Sequence, residues 1–393
     1  MSSFIRIEDT DIMLIDGDRG SNYPSKNEFY DKEYCLFLDA KNVTENGFDF
    51  SETHFITKEK DDILRNGKLQ RNDIVMMTRG SVGNVALYDK TIPYDNIRIN
   101  SGMIIIRCNK KFKSLQVYYL LKSKFVQKQI SDMMSGSVQK QLPVTVINKI
   151  QLPGNSIRVD IIYAIDRKIE NNNKINKELE SMAKTIYDYW FLQFEFPNED
   201  GKPYKSSGGK MVWNEELKRE IPEGWEAGFF SNLIEIGNGK DHKDLRDGKI
   251  PVYGSGGMMR TVDTYIYKGE SVLIPRKGTL NNILYVNGAF WTVDTMFYSK
   301  MKKKHSALYT YYSAKLFDFE KLNTGTGVPS MTSSIIYNLK IVIPPDKILE
   351  RFDNYVQTFY KQIHEKEREN RELVLLRDFL LPLLMNGQVG FKS

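Results

Sequence analysis

The stretch Asn72-Asp-Ile-Val-Met-Met-Thr-Arg-Gly-Ser-Val-Gly-Asn-Val-Ala-Leu-Tyr88 decides the fold, because the chain carries a second version of it. The second version is Gly269-Glu-Ser-Val-Leu-Ile-Pro-Arg-Lys-Gly-Thr-Leu-Asn-Asn-Ile-Leu-Tyr285, which aligns with the first if Lys277 is taken as an inserted residue. In each version a short apolar run leads into a turn rich in Gly and Asn, which is typical of a β-strand ending in a loop. We infer that the 393-residue chain consists of two similar halves.

Further matches follow in the same order along both halves. They pair Met103 with Met296, the tyrosines at 118–119 with those at 311–312, and residues 135–139, 149–153 and 176–179 with residues 324–328, 340–344 and 370–373. Each half is expected to contain short strands, as at 73–78 and 103–107, and the first half a short helix at 115–133. A strand ending at Pro153 or Pro344 and then a long helix complete each half. This pattern predicts an α+β fold with two domains related by a pseudo-two-fold axis.

The two long helices carry matching heptad seams, with polar residues elsewhere. The seams are Ile162, Ile165, Ile169, Asn172, Asn176, Leu179, Ala183, Ile186 and Trp190, and Val356, Phe359, Ile363, Lys366, Asn370, Leu373, Arg377, Leu380 and Leu384. Such seams predict a coiled coil, and related halves of one chain predict that its helices run antiparallel. Asn176 and Asn370 would then lie side by side and fix the register. The alternative is two amphipathic helices that pack on their own domains.

These elements predict five segments. The first domain covers residues 1–156, and a central helix with the start of a connector covers residues 157–196. The connector, rich in Gly, Pro, Ser and Asn, covers residues 197–225 and is expected to run over the surface. The second domain covers residues 226–346, and the C-terminal helix covers residues 347–393.

Basic residues are concentrated in two separate segments. Residues 64–149 hold 15 Lys and Arg against 4 Asp and Glu, and residues 265–345 hold 10 against 4, whereas residues 1–63 hold 7 against 15. Two basic segments fit two contacts with a polyanion such as DNA, although a solvated surface can have the same charge balance. The sequence contains no run of about 18 uncharged apolar residues and no signal-peptide core at its start, so we expect a cytoplasmic protein without membrane contact.

The residues offer no catalytic machinery. None of the Gly-Lys pairs has a glycine five residues earlier, so the chain has no P-loop for ATP. The Asn/Asp-Pro-Pro-Tyr/Phe signature of adenine methyltransferases is missing as well. The four histidines lack metal-ligand spacing, and two cysteines, Cys35 and Cys108, are too few for a four-cysteine zinc site. We expect no catalytic residue, metal or cofactor in this chain.

Three stretches resemble the centre of the specificity subunits of bacterial type I restriction-modification complexes. They are residues 187–197 (YDYWFLQFEFP), 200–210 (DGKPYKSSGGK) and 221–225 (IPEGW), and the turn at 79–88 is similar to the target-recognition domains of that family. The resemblance covers essentially the whole chain. It implies two target-recognition domains that each read half of a bipartite site in double-stranded DNA, and antiparallel helices that set the spacer. It also implies partners, namely two methyltransferase subunits with S-adenosylmethionine, and restriction subunits with ATP and Mg.

Candidate DNA-binding residues lie in the matching loops of the two halves. Arg suits phosphate or guanine, Asn and Gln can pair with adenine, and Lys can hold phosphate. On this basis the candidates are Arg79, Ser81, Asn84, Ser137, Gln139 and Lys140 in the first half, and Arg276, Thr279, Asn282, Lys302, Lys303 and Lys304 in the second. The alternative is that the two turns match only because the fold requires them, with Gly80 and Gly278 present for backbone reasons.

The function predicted is sequence-specific DNA recognition within a type I complex, without catalysis by this chain. The alternative is a non-catalytic scaffold that dimerises through its helices and does not recognise DNA. Salt-dependent DNA binding in the presence of the methyltransferase distinguishes the two hypotheses.

Overall fold

The computed structural model describes residues 4–109, 113–134, 141–153, 159–325 and 327–385. The chain divides into two compact units. Unit 1 comprises residues 1–171 and 369–393, and unit 2 comprises residues 172–368. The unit boundaries fall inside the two long helices. The division into five segments stays a prediction.

Unit 1 consists mainly of short strands. They are β1 (Phe4–Arg6), β2 (Met13–Asp16), β3 (Cys35–Phe37), β4 (Val43–Thr44), β5 (Gly47–Phe48), β6 (Phe55–Ile56), β7 (Ile74–Met77), β8 (Val85–Leu87), β9 (Ile97–Arg98), β10 (Met103–Arg107) and β11 (Gln151–Pro153). Its own helices are α1 (Lys58–Ile63), α2 (Ser114–Lys122), α3 (Lys124–Met134) and α4 (Val144–Ile147), with single 3-10 turns at Ile7–Asp9, Lys26–Glu28 and Ala40–Asn42.

The central sheet of unit 1 has the strand order β2-β10-β7-β8, and neighbouring strands are antiparallel. Neighbouring residues along a strand point to opposite faces of the sheet. Ile74 and Ile104 lie in a core with α2 and α3, whereas Val75 and Ile105 lie in a second core with β3 and β9. Burial on both faces explains why β7 and β10 are continuous apolar runs.

The single helix predicted at 115–133 is two helices in the structure. Ser123 interrupts it with an extended backbone between α2 and α3. Its hydroxyl donates to the Leu120 carbonyl at 2.6 Å and accepts from the Val126 N–H at 3.3 Å. A serine that caps one helix and starts the next competes with a continuous helix, and apolar spacing does not reveal this.

The long helix α5 (Asp160–Tyr187) follows and ends in a π-helical turn, Asp188–Leu192. Unit 2 then has strands β12 (Met211–Asn214), β13 (Arg219–Pro222), β14 (Glu226–Phe229), β15 (Ile234–Asn238), β16 (Asp247–Gly254), β17 (Gly257–Val262), β18 (Tyr267–Pro275), β19 (Leu284–Thr292), β20 (Met296–Met301) and β21 (Lys340–Ile343). Its helices are α6 (Phe230–Leu233), α7 (Ala307–Ala314), α8 (Ser333–Tyr337) and the second long helix, α9 (Asp346–Met385).

The sheet of unit 2 repeats the strand order of unit 1. Its order is β15-β20-β18-β19-β16-β17, so β15, β20, β18 and β19 take the places of β2, β10, β7 and β8. Likewise, β14 pairs with β21 as β1 pairs with β11. The predicted α+β fold with two related halves is confirmed.

The strand registers correct the alignment of the two halves. Met77 pairs with Met103, and Pro275 pairs with the equivalent Met296. Met77 therefore corresponds to Pro275, a shift of 198 residues that also equates Thr78 with Arg276 and Arg79 with Lys277. The inference that Lys277 is an insertion is wrong, because it rested on aligning Arg with Arg and did not consider hydrogen-bond register.

The expected surface connector at 197–225 contains a structure of its own. Strands β12 and β13 form a two-stranded antiparallel hairpin. Ile221 and Trp225 are buried, and the Trp225 ring stacks on Phe196 with centroids 5.0 Å apart. The apolar residues of this segment are scattered among Gly, Pro and Lys, so they show no periodicity from which the hairpin could be predicted.

Within each unit the long helices pair in opposite directions. In unit 1, Asp166 near the start of α5 binds Arg377 near the end of α9 at 3.0 Å. In unit 2, Tyr187 at the end of α5 contacts Phe352 near the start of α9, with ring centroids 6.2 Å apart. Every residue of the two predicted seams is buried or half-buried. The predicted antiparallel seam is confirmed, while the side-by-side placement of Asn176 and Asn370, which fall in different units, stays a prediction.

Among the described residues, the structure has no helix that combines the length and the apolar character needed to cross a membrane.

Candidate nucleic-acid interface

The first candidate turn follows β7 and is closed by two hydrogen bonds to one carbonyl. The N–H groups of Thr78 and Arg79 donate to the Gly102 carbonyl at 2.8 and 3.2 Å. Gly80 has a φ of +71°, in the left-handed region that a residue without Cβ adopts without strain. The turn therefore leaves Arg79 and Ser81 exposed beyond the end of the strand.

The second candidate turn, after β18, is closed in the same way. The N–H groups of Arg276 and Lys277 donate to the Thr295 carbonyl at 2.8 and 3.2 Å, and Gly278 has a φ of +86°. Lys277 and Thr279 are exposed, whereas the Arg276 guanidinium lies 5.7 Å from the centroid of the Phe297 ring. Lys277 is thus the structural counterpart of Arg79. The sequence alignment missed it, although the matching glycines would have identified it.

The two candidate asparagines bind neighbouring hairpins of their own units. The Asn84 amide donates to the Val43 carbonyl in β4 at 3.3 Å, and the Asn282 amide donates to the Ser255 carbonyl, in the turn between β16 and β17, at 2.8 Å. A bidentate contact with adenine requires the amide donor as well as the acceptor. In this structure the donors position the hairpins, and a role in reading bases stays a prediction.

Two residues that follow the matched segments 135–139 and 324–328 lie beside the two turns. Ser137, Gln139 and Lys140 fall outside the described residues, but the next residue, Gln141, forms a β-bridge with Arg79. In unit 2, Ser330 forms the equivalent bridge with Lys277. The structure therefore brings Gln141 next to the first turn and Ser330 next to the second.

The exposed cations of the two turns are not neutralised within the described part of the chain. Neither the Arg79 guanidinium nor the Lys277 ammonium has a hydrogen bond or ion pair with another described residue. Both side chains are exposed, as phosphate contacts require.

The three consecutive lysines lie away from the turn of their unit. Residues 302–304 follow the end of β20 opposite to Met296, which puts them about 17 Å from the Arg276 turn at the strand rise of 3.3 Å per residue. Lys302 donates to the Ser231 carbonyl at 2.8 Å, and Lys303 binds Asp346 at 2.9 Å, whereas Lys304 is exposed. A phosphate contact by these lysines stays a prediction, and it would not belong to the surface formed by the turns.

A tyrosine joins each domain to a long helix. Tyr119 of α2 donates to Asp166 of α5 at 2.7 Å, and the hydroxyls of Tyr312 in α7 and Tyr360 in α9 are 3.0 Å apart. Burial raises the pKa of Tyr119, and the nearby Asp166 carboxylate raises it further. The hydroxyl therefore stays protonated and acts as a donor. The sequence matched the tyrosines of the two halves but gave no sign of their partners.

The chain belongs to the family of type I restriction modification DNA specificity domains, whose model matches residues 10–181 and 222–373. Two matched segments in one chain agree with the duplicated fold. The resemblance inferred from the central sequence is confirmed, and membership supports the expectation of a non-catalytic subunit.

Individual relatives span most of the chain. It is 24% identical over 350 residues to the type I restriction enzyme MjaIX specificity subunit of Methanocaldococcus jannaschii, which covers 81% of this chain and 78% of that protein. It is 20% identical over 459 residues to the HindI specificity subunit of Haemophilus influenzae, covering 95% and 98%. Among solved structures, the type I S subunit from M. genitalium matches with a TM-score of 0.61 at 16% identity, over 100% of this chain and 96% of that one. At this identity, the structural match supports the fold alone.

Proposed function

We propose that this chain recognises an asymmetric, bipartite sequence in double-stranded DNA and leaves catalysis to partner subunits. The observation that carries the proposal is the pair of equivalent turns. Each presents one exposed cation, Arg79 or Lys277, that no described residue neutralises. A cation supplies affinity for phosphate, while the side chains around it supply contacts with base edges. Two such surfaces in one chain fit two half-sites.

The sequences of the two surfaces favour a target without symmetry. Arg79 and Ser81 in unit 1 correspond to Lys277 and Thr279 in unit 2, and the neighbouring hairpins also differ. Surfaces with different donors and acceptors select different bases. The 28 residues of α5 span about 42 Å at 1.5 Å per residue, and a turn of B-DNA measures about 34–36 Å. The half-sites should be centred about one turn apart, with unspecified bases between them.

The end of α9 is the surface best suited to a methyltransferase subunit. Leu375, Leu376 and Phe379 are exposed to 71%, 45% and 66%. An apolar patch of this kind on a helix is typical of a protein interface. Two methyltransferase subunits would bring S-adenosylmethionine, and restriction subunits would bring ATP and Mg.

Methylation sequencing of cells that express this chain with its methyltransferase tests the proposal. We expect methylated adenines in one motif with two different halves and a fixed spacer. A mobility shift of the purified complex should weaken steeply as salt increases, because bound phosphates release counterions. A continuous or palindromic motif would refute the recognition of two different half-sites. The absence of DNA binding would favour the alternative, a non-catalytic scaffold that dimerises through its helices.

A further inference from the structure

The hairpin of β16 and β17 carries two exposed methionines at its tip. The strands are joined by a two-residue turn, Ser255-Gly256, and Met258 and Met259 begin the return strand. Their exposed fractions are 54% and 57%. A Cβ built on Gly256 or Gly257 would meet no atom within 4 Å, so the tip projects into open space. The hairpin therefore presents an apolar tip to solvent.

The tip belongs to the candidate DNA surface of unit 2. Ser255 accepts the hydrogen bond of Asn282, and its hydroxyl would lie 2.8 Å from a Cβ on Gly278. Residues 292–295 connect the surrounding elements through backbone hydrogen bonds. The Thr292 and Thr295 carbonyls accept from the N–H groups of Lys240 and Lys277, and the Val293 N–H donates to the Tyr253 carbonyl. The backbone bonds of this segment thus connect the hairpin with two exposed lysines, Lys240 and Lys277, that form no ion pair with other described residues.

The two methionines are supported differently. Met259 is the extra residue of a β-bulge, since Val252 pairs with Arg260 and Tyr253 pairs with Met258. The Met259 sulfur packs over Gly254, where an added Cβ would approach it to 2.8 Å and Val293 to 3.3 Å. Neither methionine belongs to a hydrophobic core of unit 2 among the described residues.

We propose that Met258 inserts between two stacked base pairs in the half-site bound by unit 2, with Met259 supporting it from behind. The inference rests on the proposed function. The exposed lysines of this surface draw the tip to the phosphates, and a flexible apolar side chain can then replace base stacking, as methionine does in proteins that kink DNA. The charge around the tip favours DNA over an apolar protein partner.

Fluorescence of 2-aminopurine, which rises when the base loses its stacking, tests the proposal. The complete complex with the methyltransferase is mixed with target duplexes that carry the probe at successive positions. We expect the wild-type complex to brighten a base in the unit 2 half-site. Met258→Ser should abolish that signal and weaken binding about tenfold, whereas Met258→Leu should retain both. Met13→Ser is the matched control, because Met13 is 49% exposed on a strand of unit 1.

The outcomes distinguish the insertion of Met258 between base pairs, called the wedge below, from the proposed function. If the wild-type complex binds its target but brightens no base in that half-site, or if Met258→Ser keeps the signal, the wedge is refuted and DNA recognition stands. If Met258→Ser no longer assembles with the methyltransferase, the methionine serves a protein interface and the wedge is likewise refuted. If the wild-type complex does not bind DNA, both proposals fail.

Discussion

Tyr119 donates a hydrogen bond to Asp166 at 2.7 Å, and Arg377 binds the other oxygen of the same carboxylate at 3.0 Å. One carboxylate thus joins the domain helix α2, the central helix and the C-terminal helix within unit 1. Unit 2 has a neutral joint at the equivalent place, where the hydroxyls of Tyr312 and Tyr360 meet. The duplication has kept the position of the joint and changed its chemistry.

Replacing Asp166 should destabilise unit 1. Asp166→Asn keeps the shape of the side chain but removes the charge, and it should lower the free energy of unfolding by about 1–3 kcal/mol because two hydrogen bonds are impaired. Urea denaturation measures the change. Lys168→Gln is the control, because its ion pair with Glu369 is nearly half exposed and should contribute less than about 1 kcal/mol. Equal losses in the two variants would contradict the role given to Asp166.

The corrected alignment predicts which cations contact DNA. Arg79→Ala and Lys277→Ala should each weaken binding and reduce the salt slope of the binding constant by about 1, because each removes one phosphate contact. Arg276→Ala should change the salt slope less, since its guanidinium lies over Phe297. DNA-binding titrations at several salt concentrations measure the salt slope of each variant. The assignment fails if Arg276→Ala reduces the slope and Lys277→Ala does not.

The exposed leucine and phenylalanine of α9 should be required for assembly. Leu375→Glu and Phe379→Glu place charges on the apolar patch, so each should weaken association with the methyltransferase at least tenfold while leaving the fold intact. Size-exclusion chromatography with the methyltransferase and circular dichroism of the free chain measure the two effects. Ile63→Glu is the matched control, because Ile63 is 50% exposed on α1. Normal assembly of both α9 variants would exclude this patch as the docking surface.

Acid should destabilise unit 1 through Asp61. Burial raises the pKa of this carboxyl, but hydrogen bonds from Lys68 and Arg98 outweigh it and hold the pKa below its usual range. A carboxyl with a lowered folded-state pKa stabilises the fold above its unfolded value, about 4, and the stabilisation is lost as pH falls through the folded value. The free energy of unfolding should therefore decline below about pH 5.

Two variants test this acid response by urea denaturation between pH 7 and pH 3. Asp61→Asn should be less stable at pH 7 and decline less on acidification, because it has no carboxyl at this position to protonate. Asp95→Asn should follow the wild type, since the Asp95 side chain is 88% exposed. An Asp61→Asn variant that declines as steeply as the wild type would show that other groups carry the acid response.

The sequence predicted those features that depend on a repeated apolar pattern. The heptad seams identified both long helices and their pairing, and the apolar runs identified β7 and β10. It did not predict the helix break at Ser123, because a single hydroxyl makes it, nor the hairpin at 211–222, whose buried residues have no period. Lys277 was misplaced because residue identity was given more weight than the glycine turn that follows it.

The sequence indicated which residue types suit DNA binding, but it did not indicate which residues contact one another in the fold. Arg79 and Gln139 were separate candidates in the sequence, and only the β-bridge between Arg79 and Gln141 shows that the chain returns to the first turn at Gln141. Asn84 and Asn282 were assigned to base reading because their side chains suit it. Their contacts with backbone carbonyls depend on hairpins more than 25 residues away in the chain, which no local pattern reveals.

Backbone groups fasten the two turns at their bases, through the Gly102 carbonyl in one case and the Thr295 carbonyl in the other, and the Thr78 hydroxyl adds a bond to Gly102. Within the described residues, the exposed side chains of Arg79 and Lys277 take no part in this attachment. Mutation can therefore alter what a turn touches at little cost to folding, so that new specificities can arise in one half while the other half is conserved.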